Sequence, residues 1–64
     1  MSGQEKYPIG SYWRDRKEPD IWFQVIGYEG NLVIAGRSGG QPITFGREMI
    51  RRFYVPMEAP EGAI

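Results

Sequence analysis

The chain contains 64 residues, of which eight are basic and eight acidic, and it has neither cysteine nor histidine. This length allows one small domain, and the missing side chains exclude disulfides, thiolate chemistry and the metal ligand that proteins use most. The chain has a formal net charge of zero, whereas dedicated nucleic-acid-binding proteins typically carry an excess of positive charge.

The two ends of the chain lack apolar periodicity. Residues 1–7 are predicted to form a flexible arm, and residues 57–64, which hold two glutamates, a flexible tail. The domain itself is expected to span residues 8–56. Because the apolar runs are too short to cross a bilayer and no apolar leader opens the chain, we expect a cytoplasmic protein without a membrane partner.

The first half of the domain predicts three strands. A short strand at about residues 11–14 is followed by a charged loop over residues 15–20. Residues 21–28 are rich in β-branched and aromatic side chains and form the clearest strand. The turn YEGN then leads into a partner strand over residues 32–37.

The second half predicts a turn at residues 38–40, a fourth strand over residues 41–45 and a last strand over residues 53–55. Pro42 suggests that the fourth strand has a free edge. Between these strands, the segment GREMIRRF suits one helical turn. Five short strands with one helical turn before the last predict an all-β, SH3-like small barrel. An OB-type barrel fits less well because it needs longer strands.

The adjacent rings of Trp22 and Phe23 must point to opposite faces of the second strand. We expect Phe23 inside and Trp22 outside, with a bulge at Gly27 that returns Tyr28 to the core side; the opposite register stays open. On the expected register the other core residues are Val25, Val33, Ala35, Ile43, Phe45, Met49, Phe53 and Val55. An outward Trp22 has two explanations: it anchors the charged loop, or it forms part of a contact surface.

The sequence contains no motif that predicts a catalytic, phosphate-binding or metal-binding site. The segment GRSGG lacks the lysine and hydroxyl residue of a phosphate-binding loop and suits a hairpin better. Asp15, Glu18 and Asp20 lack the spacing of a calcium loop and lie among basic neighbours. No serine or threonine has a base beside it. We therefore expect a protein that is not an enzyme, with no catalytic residue, metal site or cofactor.

A contact surface could instead use aromatic and arginine side chains, which dominate interface hot spots. The candidate partner-binding residues are Tyr12, Arg14, Trp22, Arg37, Arg51, Arg52 and Tyr54. A protein partner is favoured. The same residues could also bind single-stranded nucleic acid, since aromatic stacking combined with positive charge is used there. A third possibility is a homodimer, formed through an exposed apolar strand face or the edge at residues 41–45.

Three segments carry a resemblance to known proteins: GSYWRDR, FQVIGYEGNLVI and ITFGREMIRRFYV. Over about residues 10–55 the chain resembles short uncharacterised proteins encoded by bacteriophages and prophages. The matching positions are Gly10, Trp13, Arg14, Asp15, Val25, Tyr28, Val33, Met49 and Phe53. The resemblance implies a small barrel and a phage gene whose product acts in the host cytoplasm. The resemblance implies no activity and no functional residue. Because small phage-encoded proteins without catalytic residues often act by occupying a surface of another protein, we expect an accessory or inhibitory protein that docks on a host or phage protein.

Overall fold

The computed structural model of the chain describes residues 6–37 and 40–60. They form five strands and one helix, in the order β1 Tyr12–Asp15, β2 Trp22–Glu29, β3 Leu32–Gly36, β4 Ile43–Gly46, α1 Arg47–Phe53 and β5 Tyr54–Met57. The predicted turn at residues 38–40 lies partly outside the described residues. The number of strands and the position of the helix before the last strand agree with the prediction.

The strands form one antiparallel sheet in the order β4-β3-β2-β1-β5. The mostly β fold is therefore confirmed. The sheet is open, because β4 and β5 lie at its two edges and no ladder joins them within the described residues. Helix α1 connects these edge strands and contacts both of them. The described strands therefore do not show the closed barrel predicted from the sequence, because a closed barrel needs hydrogen bonds between β4 and β5.

The central hairpin of β2 and β3 sets the register of the core. Gly30 has a positive φ of 61° at its turn, a conformation that glycine adopts at little cost. The pairing shifts between Val25 and Gly27, which confirms the predicted bulge. Beyond the bulge Tyr28 pairs with Val33, and its ring packs against the core from a partly buried position.

The core covers one face of the sheet. Its buried residues are Tyr7, Trp13, Phe23, Val25, Val33, Ala35 and Ile50. Burial of Phe23 and Val25, with Trp22 on the other face, confirms the expected register of β2. Val33 and Ala35 were also predicted correctly, whereas Phe45 is only partly buried against the cluster.

The contribution of the helix to the core was predicted wrongly. Met49 and Phe53 are 46% and 53% exposed, while Ile50 is fully buried. Residues four apart share one face of a helix, and residue 50 lies about 100° around the axis from residue 49. The helix starts directly after β4 and runs for seven residues. With this start, the face that holds Ile50 packs against the core, and the face shared by Met49 and Phe53 is directed to solvent.

Two strand residues were also assigned to the wrong place. Ile43 is 46% exposed, because it lies in the edge strand β4, where it has a neighbouring strand on one side alone. Val55 pairs with Arg14 in the β1–β5 ladder. Directly paired residues of an antiparallel ladder point to the same face, so Val55 lies on the outer face, opposite the core.

Tyr7 belongs to the core, although the sequence placed it in a flexible arm. It is 3% exposed, and its ring lies 4.9 Å from that of Trp13. Its hydroxyl donates to the carbonyl oxygen of Arg47 at 3.3 Å. The folded domain thus includes Tyr7 at one end and, as part of β5, Met57 at the other. The rest of the predicted arm, residues 1–5, and the last part of the predicted tail, residues 61–64, lie outside the described residues.

Candidate interaction surface

The outer face of the sheet brings together residues from β1, β2 and β5. In the β1–β2 ladder Arg14 pairs with Trp22 and Tyr12 pairs with Gln24. These side chains point away from the core, because their neighbours Trp13 and Phe23 are buried. Alternation along two paired strands therefore places Tyr12, Arg14 and Trp22 side by side.

The rings of Tyr12 and Trp22 are in contact. Their centroids are 5.8 Å apart and their planes are inclined by 56°, within the range of favourable aromatic pairs. Both side chains are half-buried, so each ring also keeps a surface that faces solvent. The guanidinium of Arg14 lies 3.4 Å from the carbonyl oxygen of Asp15. Two aromatic rings and one cation thus occupy adjacent positions on a strand framework.

Strand β5 extends this surface with apolar side chains. Val55 pairs with Arg14 and Met57 pairs with Tyr12, and both are partly exposed. We call the set Tyr12, Arg14, Trp22, Val55 and Met57 the outer patch. Sequence reasoning missed Val55 and Met57, although alternation along residues 54–57 would have found them once the start of β5 was known.

The charged loop after β1 is organised by its own turn. The Oδ1 atom of Asp15 accepts the backbone N–H groups of Lys17 and Glu18 at 2.8 and 3.0 Å. The N–H of Arg16 donates to the carbonyl oxygen of Phe53 at 2.9 Å. The loop is therefore attached to the end of α1. The sequence leaves open whether Trp22 anchors this loop, but in the structure the ring of Trp22 packs on that of Tyr12.

Tyr54 is not part of the outer patch, contrary to the prediction. Its ring lies 5.0 Å from that of Phe23 and 5.6 Å from that of Phe45, on the core face. Burial raises the pKa of its hydroxyl above the ordinary value of 10.0, and the charge of Asp15 adds to this effect. The charge of Arg37, the residue that follows β3, acts in the opposite direction.

The remaining arginines lie on the helix. Arg51 and Arg52 are both exposed in its last turn. Arg51 forms an ion pair with Glu48, and this hydrogen bond, together with the charge of Glu48, raises the pKa of Arg51. The seven predicted residues are therefore divided: three share the outer face, and the other four lie on the core face, after β3 or on α1.

A recess opens where the charged loop meets the end of α1. It has a volume of about 290 Å³ and is lined by Asp15, Arg16, Lys17, Arg52 and Phe53. Within the described part of the chain, no group of three acidic, cysteine or histidine side chains is placed to hold a metal ion. No helix among these residues has the length and apolar character needed to cross a membrane.

Comparison with known proteins gives no match, whether to a protein-family model, a curated protein or a solved structure.

Proposed function

We propose that this chain is a non-enzymatic binding module that docks on a protein partner through the outer patch. The observation that carries the proposal is the contact between Tyr12 and Trp22 on the face opposite the core. Both rings are held on paired strands, so little conformational freedom is left for them to lose on binding. Tryptophan, tyrosine and arginine are the residues most enriched in interface hot spots.

The proposed mechanism is steric. Val55 and Met57 add apolar surface beside Arg14 and Tyr12, on the β5 side of the patch. Arg14 supplies one charge that can pair with a carboxylate of the partner. By covering this surface of its partner, a domain of this size would block or bridge a contact without any chemical step.

The finer description of the fold belongs to the same proposal. We infer that the sheet curls into an SH3-like barrel, with α1 closing the gap between β4 and β5. The strand order and the helix that contacts both edge strands support this reading. The rings of Phe45 in β4 and Tyr54 in β5 are already 5.6 Å apart, so the test is nuclear Overhauser contacts between backbone protons of the two strands. Their complete absence would leave an open sheet.

The biological setting of the proposal comes from the resemblance alone. In this setting the chain is a phage-encoded accessory or inhibitory protein that acts in the host cytoplasm. Its partner is a host protein or another phage protein. Identification of the partner tests this setting directly.

The experiment is an affinity capture from lysate of the native cell with the tagged full chain, run in parallel with Trp22→Ala and Arg51→Ala. A specific partner should be enriched by the wild type and by Arg51→Ala, since Arg51 lies outside the outer patch, and should be lost with Trp22→Ala. Equal capture by all three proteins would reject the outer patch as the docking surface.

Nucleic acid and self-association are the alternative outcomes. The guanidinium groups of Arg14 and of the Arg51–Arg52 pair lie on different elements, which gives less support to a continuous phosphate-binding surface. Titration with single- and double-stranded oligonucleotides at two salt concentrations tests the first; binding that weakens steeply with salt would favour it. Sedimentation over a range of protein concentrations tests pairing of the free β4 edge.

A further inference from the structure

The recess beside α1 is separate from the outer patch, since the two share no residue. The loop after β1 forms one wall and the end of α1 the other. The hydrogen bond from the N–H of Arg16 to the carbonyl oxygen of Phe53, at 2.9 Å, joins the two walls. This backbone hydrogen bond holds the loop next to the end of α1. The side chains that line the recess therefore extend from two segments that are attached to each other.

Three of the five residues that line this recess carry a positive charge, and one of the other two, Asp15, carries a negative charge. Arg16, Lys17 and Arg52 are exposed, and within residues 6–37 and 40–60 none of the three forms an ion pair with a carboxylate. The carboxylate of Asp15 already accepts two backbone N–H groups of the loop turn. Arg51 differs from Arg52 in this respect, because it is paired with Glu48.

An aromatic ring completes the recess. Phe53 is 53% exposed, and Met49, one turn earlier on the same helix face, is 46% exposed. Large apolar side chains at this level of exposure leave surface that a ligand can cover. The recess thus combines an apolar wall with three cations that have no carboxylate partner among the described residues.

We propose that this recess binds an acidic peptide segment of a protein partner. An apolar side chain of the peptide packs on Phe53, and its carboxylates pair with Arg16, Lys17 and Arg52. A peptide with a few carboxylates needs only these local charges. A phosphate backbone depends on summed positive charge, which Asp15, Glu18 and Asp20 of the same loop reduce.

The test uses a fluorescein-labelled synthetic peptide of sequence EDLFDE and measures its binding to the full chain by fluorescence anisotropy at low salt. The wild type should bind it, and Arg52→Ala should weaken binding about fivefold, the upper range for one exposed ion pair. Phe53→Ala should also weaken binding. Arg51→Ala is the matched control, since it removes a neighbouring exposed arginine that does not line the recess, and it should bind as the wild type does.

Four results would overturn the proposal: no binding of the peptide, equal binding of the uncharged peptide QNLFNQ, an equal loss with Arg51→Ala, or tighter binding of single-stranded oligothymidine. Amide chemical-shift spectra of each variant confirm that it remains folded. Because Trp22→Ala should keep the affinity for the peptide, failure at the recess and failure at the outer patch can be told apart.

Discussion

The hydroxyl of Tyr28 donates a hydrogen bond of 2.7 Å to the carbonyl oxygen of Tyr7, a residue 21 positions earlier in the chain. This bond holds the N-terminal segment over the sheet, where the Tyr7 ring packs on Trp13. In a chain of 64 residues, one additional buried aromatic is a large part of the core.

Tyr28→Phe tests the contribution of this bond. The substitution keeps the ring but leaves the Tyr7 carbonyl without its donor, so the free energy of unfolding should fall by about 1 kcal/mol. Urea denaturation measures the change. Tyr12→Phe is the matched control, because its hydroxyl makes no hydrogen bond within the described residues. Equal effects of the two substitutions would contradict the role of Tyr28.

The phase of α1 is tested by two adjacent alanine substitutions. Ile50 is fully buried and Met49 is 46% exposed. Ile50→Ala should lower the free energy of unfolding by about 2–4 kcal/mol, as expected when a cavity forms in a core. Met49→Ala should cost less than about 1 kcal/mol. If Met49→Ala were the more damaging substitution, the helix phase would be wrong.

The raised pKa of Tyr54 predicts a loss of stability at high pH. At pH 10.0 half of the Tyr54 phenols are ionised in the unfolded chain, whereas the native state, with its raised pKa, keeps most of them protonated. The native state then binds more protons than the unfolded state, so stability falls as pH rises through the native pKa and is fully present below pH 10.0. Urea denaturation of the wild type and Tyr54→Phe across this range isolates the effect from the other tyrosines. Parallel pH profiles would argue against it.

The turn between β2 and β3 gives a test of backbone conformation. Gly30 has a φ of 61° and open space where a Cβ atom would lie, whereas Gly40 has no positive φ and its Cβ atom would make an ordinary van der Waals contact with Arg37. Gly30→Ala should therefore destabilise the protein by about 1 kcal/mol through strain alone, and Gly40→Ala should not. Thermal unfolding measured on both variants decides, and a neutral Gly30→Ala would contradict the turn geometry.

The alternation of β2 and β3 was sufficient to predict the central part of the core. Phe23, Val25, Val33 and Ala35 follow from period-two patterning, with the bulge at Gly27 correcting the phase. Tyr7 could not be found in this way, because its polar neighbours hide it and its two hydrogen bonds span 21 and 40 positions of sequence.

The sequence was sufficient to predict which candidate residues share a face when alternation within a strand decides it. It was not sufficient when the answer depends on where α1 ends and β5 begins. Tyr12, Arg14 and Trp22 share a face because alternation within β1 and β2 puts them there. The side on which Tyr54 points depends on where α1 ends, and a shift of one residue moves every side chain of a strand to the other face. The helix ends at Phe53, and the backbone N–H of the next residue, Tyr54, donates to the carbonyl oxygen of Ile50.

The two tryptophans should differ sharply in their effect on stability. Trp13 is buried and donates its indole N–H to Ser11 at 3.0 Å, so Trp13→Ala should lower the free energy of unfolding by about 3–5 kcal/mol. Trp22 is half-buried on the outer face, and Trp22→Ala should cost about 1 kcal/mol and leave the domain folded. Unfolding of Trp22→Ala would instead mark Trp22 as a core residue.

The most direct test of the account is the dissociation constant of the captured partner, measured by isothermal titration calorimetry with folded Trp22→Ala and with Arg51→Ala. Trp22→Ala should weaken binding at least about 30-fold, as loss of a hot-spot residue does, while Arg51→Ala should bind as the wild type does. Wild-type affinity in folded Trp22→Ala would contradict it.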